Sequence, residues 1–156
     1  MINKNLNSND LRSINIVHKA FLIGQLLFIA IAFCLVYFKL FQATEHQLEK
    51  PLQLIAVIFS IGGFFAGSQI FKKRLADIRL QNNIKDKFEL YRGACIIQWA
   101  LIEGPCLFNI ISFMLTGDYT FLYLAGALIL TFVRLSPSKL KLVEDLQLSE
   151  DEAAEL

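Results

Sequence analysis

The chain has 156 residues, 55% of them hydrophobic, with 14 phenylalanines and a mean hydropathy of +0.50. Soluble domains average about 45 to 50% apolar residues, and one of this length would leave large apolar patches in water if it carried four long uncharged runs. The net charge of +1, with no basic stripe interleaved with stacking aromatics, argues against nucleic acid as a partner.

The first candidate span covers about residues 18–38, where 19 uncharged residues lie between Lys19 and Lys39. That run is longer than a signal-peptide core and has no small-x-small cleavage site after it, so the expectation is a retained helix. The second covers about 51–71, with 21 uncharged residues between Lys50 and Lys72. Both are of membrane-spanning length. A basic loop follows at 72–92, with seven Lys and Arg. Its Leu75, Ile78, Ile84, Phe88 and Tyr91 fall at helical spacing, with a break at "QNN" (81–83). The third span, about 93–116, has one charge in it, Glu103. The fourth, about 119–136, offers 15 uncharged residues, or about 22 Å of helix, so it needs Arg134 to snorkel and Leu135 and Ser136 to extend it. An acidic tail closes the chain at 138–156, and "SEDE" (149–152) has capping-box spacing. Exposed ion pairs add little, so the tail is expected to be solvated rather than folded back on the basic loop.

With both termini inside, 13 Lys and Arg face the cytoplasm and 2 face outward, an orientation signal by the positive-inside rule. The resulting expectation is an all-α integral membrane protein of four transmembrane helices in a single domain. It would lie in the plasma membrane, the inner membrane in a bacterium, with both termini cytoplasmic. The basic loop would attract anionic lipid headgroups. A shift of 74 overlays Ala20 on Ala94 and Ile29 on Glu103, and a shift of 68 overlays "LADIRL" on "VEDLQL". This faint duplication predicts two parallel-repeated helical hairpins related by a pseudo-twofold axis along the membrane normal.

Glu103 lies eleven residues from Arg92, or about 16 Å into a hydrocarbon layer roughly 30 Å thick. An ionised acid at that depth costs on the order of 2.5 to 3.5 kcal/mol, so a carboxyl bonded to hydroxyls is expected. Counting the same depth on the other spans selects Ser60 and Tyr123 as its partners. Pro105 cannot donate to the carbonyl of Leu101 and predicts a kink, with Gly104 thinning the same place. On span two, Gly62, Gly63, Ala66 and Gly67 have the small-residue spacing of close helix packing, within the chain or between two copies. Gln98, Asn109 and Thr116 share a second polar stripe, with Gln25 expected to meet Gln98.

No zinc, nucleotide or nucleophile motif is present, and His18 and His46 fall on opposite sides of the predicted membrane. The three cysteines sit inside apolar runs without metal-ligand spacing. Neither a metal, a cofactor nor an enzymatic activity is expected. Two roles remain. One is a structural or accessory subunit acting through helix packing and cytoplasmic contacts, with a second copy or another membrane protein as partner. The other is a proton- or cation-coupling subunit using Glu103. A mid-membrane carboxyl in a double-hairpin chain resembles the plan of the rotary ATPase proteolipids. The resemblance is architectural, because those hairpin loops face the cytoplasm and their acid lies on a hairpin's second helix. Gly104 and Pro105 also depart from the glycine-rich pattern of that family, and no residue role carries over.

Overall fold

The computed structural model describes residues 8–40, 49–81 and 83–148. They form five helices and no strands: α1 (Ser8–Tyr37), α2 (Glu49–Arg79), α3 (Ile84–Thr116), α4 (Thr120–Arg134) and α5 (Lys139–Leu146). His46 and the "SEDE" segment lie outside the described residues.

The helix ends follow local chemistry. At the start of α3, Asn83 in extended conformation accepts from the Lys85 amide at 3.0 Å, so the "QNN" break also supplies the next N-cap. Its end is Gly117 at φ 75°, whose amide donates to the Phe113 carbonyl at 2.7 Å. A left-handed residue is required there to turn the chain into α4 within three residues, and glycine takes it without strain. Ser138 caps α5 by accepting from the Lys141 amide at 3.2 Å.

Two helices overrun their apolar segments, α2 continuing past Lys72 to Arg79 and α3 starting before Arg92. Likewise α1 starts ten residues ahead of the predicted span, at Ser8. Along it Ile14 and His18 share the inward face while Arg12 and Lys19 point outward.

The helix α3 is the hub. It packs along α2, and on other sides against α4 and α1. Contacts in register show that α2 and α3 are antiparallel: Gln53 meets Asp118, Ser60 meets Asn109, Gly67 meets Gln98, and Phe71 meets Tyr91. The same holds for α3 and α4, through Phe113 with Tyr119, Cys106 with Ala125, and Trp99 with Phe132. By contrast, α1 and α2 make no comparable contact. This arrangement differs from the pseudo-twofold pair of hairpins expected from the duplication. The cause is where the shapes fit: the glycines of α2 face α3, and His18 and Phe21 of α1 fit the rings of Trp99 and Phe132.

Outward faces are apolar, with Leu27 58% exposed on α1, Ile58 62% on α2 and Leu130 69% on α4. Water would not support so much exposed aliphatic surface, whereas lipid does. Three helices, α1 to α3, are each long and apolar enough to cross a membrane. The helix α4 has 15 residues and meets α5 at a bend of 78°.

Candidate functional site

A close approach of α2 and α3 organises the middle of the bundle. At Gly63 a Cβ would lie 2.4 Å from the Leu101 carbonyl oxygen and 2.6 Å from Cγ of Pro105. The Leu101 carbonyl is the one that Pro105 deprives of its intrahelical donor. Gly63 thus turns a Cα–H towards that oxygen, a weak donor in place of the missing amide. One turn along, Gly67 lies against Gln98, where a Cβ would be 3.3 Å from the backbone oxygen. The helix runs unbroken through Pro105. Only half of the small-residue face is used in this contact, since Gly62 and Ala66 are exposed. Gly104 is exposed too, with open space where a Cβ would stand, so it does not thin this contact.

Beside Pro105 sits Asn109, fully buried. Its Nδ2 donates to Oγ of Ser60 at 3.0 Å and to the Pro105 carbonyl at 2.8 Å. One amide therefore ties α2 to α3 and also donates back to the proline's own carbonyl four residues earlier. The remaining Oδ1 has no hydrogen-bond partner among the described residues.

The carboxyl of Glu103 takes no part. Ser60, expected as its partner, is bonded to Asn109, and Tyr123 is 78% exposed on the outer face of α4. No hydrogen bond to Glu103 is found among the described residues, and the side chain is half-buried at the edge of α3, next to exposed Ala100 and Gly104. Counting depth missed the level as well as the direction: Gly63 stands opposite Leu101 and Pro105 while Ser60 stands opposite Asn109, and the pairing of Cys106 with Ala125 and of Trp99 with Phe132 puts Tyr123 nearer the level of Asn109 than of Glu103. Glu103 and Asn109 are about 120° apart around α3, so a hydroxyl facing one does not face the other.

The three residues of the second polar stripe, Gln98, Asn109 and Thr116, are all buried on α3, the first two of them against α2. Gln98 is buried against Gly67. Thr116 donates to the Ser112 carbonyl at 2.8 Å and accepts from the Asp118 amide at 3.2 Å, which makes it a helix-end residue. Gln25 is fully buried with both side-chain polar atoms unpartnered, so the expected Gln25–Gln98 bond is not formed. His18 occupies the level of Trp99 instead, and Gln25 lies about 10 Å further along α1.

Three contacts were not read from the sequence. His18 is buried, its ring stacked on Phe132 at 4.6 Å between centroids and edge-on to Trp99 at 4.9 Å. Its Nε2 is 3.0 Å from the Phe132 carbonyl, joining α1 to the end of α4. The four-residue spacing from Ile14 was the available signal, masked by the charge of neighbouring Lys19. Between α2 and the turn after α3, Gln53 Nε2 donates to Asp118, whose other oxygen accepts from the Thr120 amide at 2.9 Å. The Thr120 amide, with the Gln53 bond, holds the Asp118 carboxyl below its ordinary pKa.

The third contact is the docking of α5, which corrects the expectation of a solvated tail for residues 139–146. Leu142 and Leu146 are buried, Tyr91 Oη donates to Asp145 at 2.9 Å, and Arg79 Nε donates to the Asp145 carbonyl at 2.8 Å. Two leucines and a buried tyrosine, not exposed ion pairs, hold the segment, which charge counting alone could not show. Burial raises the Asp145 pKa against the lowering effect of the Tyr91 bond. Docking is then most favourable below the ordinary aspartate pKa of about 3.9 and weakens as pH rises through the folded value. Asp145→Asn keeps an acceptor for Tyr91 and removes the charge. At pH 7 the α5 amides of this variant should exchange with deuterium as slowly as those of the wild type, or more slowly. Faster exchange would show that the charge itself holds α5.

Among the described residues no group of three or more His, Cys, Asp or Glu is placed to hold a metal ion. Cys95 and Cys106 are buried free thiols and Cys34 is an exposed one. These features define an all-helical protein whose long apolar helices point to a membrane location, with buried polar side chains such as Asn109 and His18 joining one helix to another. No known protein family, no curated protein and no solved structure matches the chain.

Proposed function

We propose that the chain is a four-span plasma-membrane protein serving as a structural or accessory subunit, with its basic end and both termini in the cytoplasm. The observation that carries this reading is the Asn109–Ser60–Pro105 cluster, where the mid-level polar groups are turned into interhelical bonds rather than aligned along a path. Four spans require α4 to cross as a short helix. Lys141 Nζ, which donates to the Arg134 carbonyl at 2.6 Å, supports a polar boundary at its end. The orientation is supported by the 13 to 2 division of Lys and Arg. No reaction is assigned to the chain. Its partners in this reading are the bilayer, a generally anionic headgroup layer at the basic loop, and a second copy or another membrane protein.

A second reading, proton or cation coupling through Glu103, draws on one observation: that carboxyl is half-buried, unbonded and at the edge of α3. Glu103→Gln separates the two. The accessory reading expects normal insertion, unchanged partner recovery and melting within about 0.5 kcal/mol of wild type, the usual range for a substitution that breaks no contact. A lost proton- or sodium-dependent activity with intact insertion would establish coupling instead. Cysteines introduced at 82 should react with an impermeant maleimide only after the membrane is opened; labelling of intact cells would reverse the orientation.

A further inference from the structure

Where α2 runs past Lys72, a cleft of about 430 Å³ opens against the first turns of α3. Lys73, Arg74, Asp77 and Gln81 form its polar side, and Ile70 and Leu90 its apolar side. Two neighbouring cations are engaged, Arg79 with the Asp145 carbonyl and Lys141 with that of Arg134, while the side chains of Lys72, Lys85 and Arg92 make no hydrogen bond or ion pair among the described residues and line no part of this cleft. Lys73 and Arg74 make no hydrogen bond or ion pair among the described residues, even with Asp77 in the same cleft. Two unpaired cations are thus held together in a concave site.

Its level and shape specify what would fill it. Lys72 ends the apolar run of α2, so the cleft lies where hydrocarbon gives way to headgroups. Ile70 and Leu90 are exposed, and Ile70 continues the apolar outer face of α2. A ligand must therefore combine negative charge with an apolar chain. Lys73, Arg74 and Asp77 sum to one positive charge, which matches a singly charged phosphodiester, and the Arg74 fork suits two of its oxygens. Asp77 and Gln81 can accept from a headgroup hydroxyl. We propose that this cleft binds one anionic glycerophospholipid, its phosphodiester on Lys73 and Arg74 and one acyl chain along Ile70. The proposal rests on the membrane placement above and differs from a diffuse attraction, which any of the loop's cations would serve equally.

The test uses the full chain purified in detergent and titrated with dioctanoyl phosphatidylglycerol, dioctanoyl phosphatidylcholine or inorganic phosphate, with bound lipid read by native mass spectrometry. One phosphatidylglycerol should be retained at least tenfold more tightly than phosphatidylcholine. Lys73→Gln with Arg74→Gln should abolish that preference, whereas Lys85→Gln with Arg92→Gln, which removes the same charge, should preserve it. Ile70→Trp, which fills the cleft and leaves its charge intact, should also lose the lipid and covers the event that the double variant does not fold. Equal loss in both charge pairs would overturn the site in favour of diffuse attraction, and equal retention of phosphatidylcholine would overturn the role of charge. Displacement of the lipid by millimolar inorganic phosphate would identify free phosphate as the ligand. Carbonate extraction of the wild type distinguishes a failure of membrane placement, which would release the chain, from a failure of the cleft, which would not.

Discussion

Gly63→Ala should unseat α2 from α3. Its new methyl would stand 2.4 Å from a backbone oxygen and 2.6 Å from the Pro105 ring, and neither can swing aside as a flexible side chain would. Overpacking of this kind costs about 1 to 3 kcal/mol, and here the Leu101 oxygen also loses the Cα–H turned towards it. Gly67→Ala, at 3.3 Å from the Gln98 carbonyl, should cost less. Gly62→Ala and Gly104→Ala meet open space and should be neutral or stabilising by up to about 1 kcal/mol, because alanine is the better helix former. Reversible unfolding in mixed micelles, run on the four variants, checks the order. If Gly63→Ala and Gly62→Ala behaved alike, close packing of α2 on α3 would be wrong.

Asn109→Ala should give the second large loss, about 1 to 2 kcal/mol, because it removes the bond to Ser60, the bond to the Pro105 carbonyl and the volume of a buried amide. Ser60→Ala should cost less, since Asn109 keeps its second acceptor. The pair forms a double-mutant cycle. A coupling of about 0.6 kcal/mol, and at most about 1.7, is the expected scale for a hydrogen bond between membrane helices. Coupling between Ser60→Ala and Glu103→Gln should be zero, because those side chains face different sides of α3. A measurable Ser60–Glu103 coupling would restore the pairing that counting depth suggested.

The contrast between Asn109 and Glu103 shows how poorly conspicuousness in the sequence tracks structural contact. Glu103 drew attention because a charge in an apolar run is conspicuous. Asn109, uncharged and two turns further on, looked like an ordinary amide within a stripe. Folding reversed their structural importance, placing Asn109 against the proline and leaving Glu103 at the edge. Likewise, "GGFFAG" announced close packing, but its sequence could not say that Gly63 and Gly67 would face α3 while Gly62 and Ala66 stayed open. His18 was hidden by a neighbouring lysine. The docked α5 was hidden by the acidic run that follows it in the sequence, although Leu142 and Leu146 at i, i+4 carried a legible signal.

Sequence alone determined the helical content and pointed to lipid as the solvent, because run length and the cost of exposing backbone and charge decide these. It placed the helix ends closely at the outer turns and around α4, while its spans stop eight to ten residues short where α1, α2 and α3 continue past their apolar runs. Tertiary structure decided which side of each helix meets which neighbour. A residue's height along a helix follows from a fixed rise, so it can be counted. Its direction of facing is settled only when several helices rotate together until glycines meet carbonyls, rings meet rings and amides find acceptors, and that joint solution is not a property of any single segment.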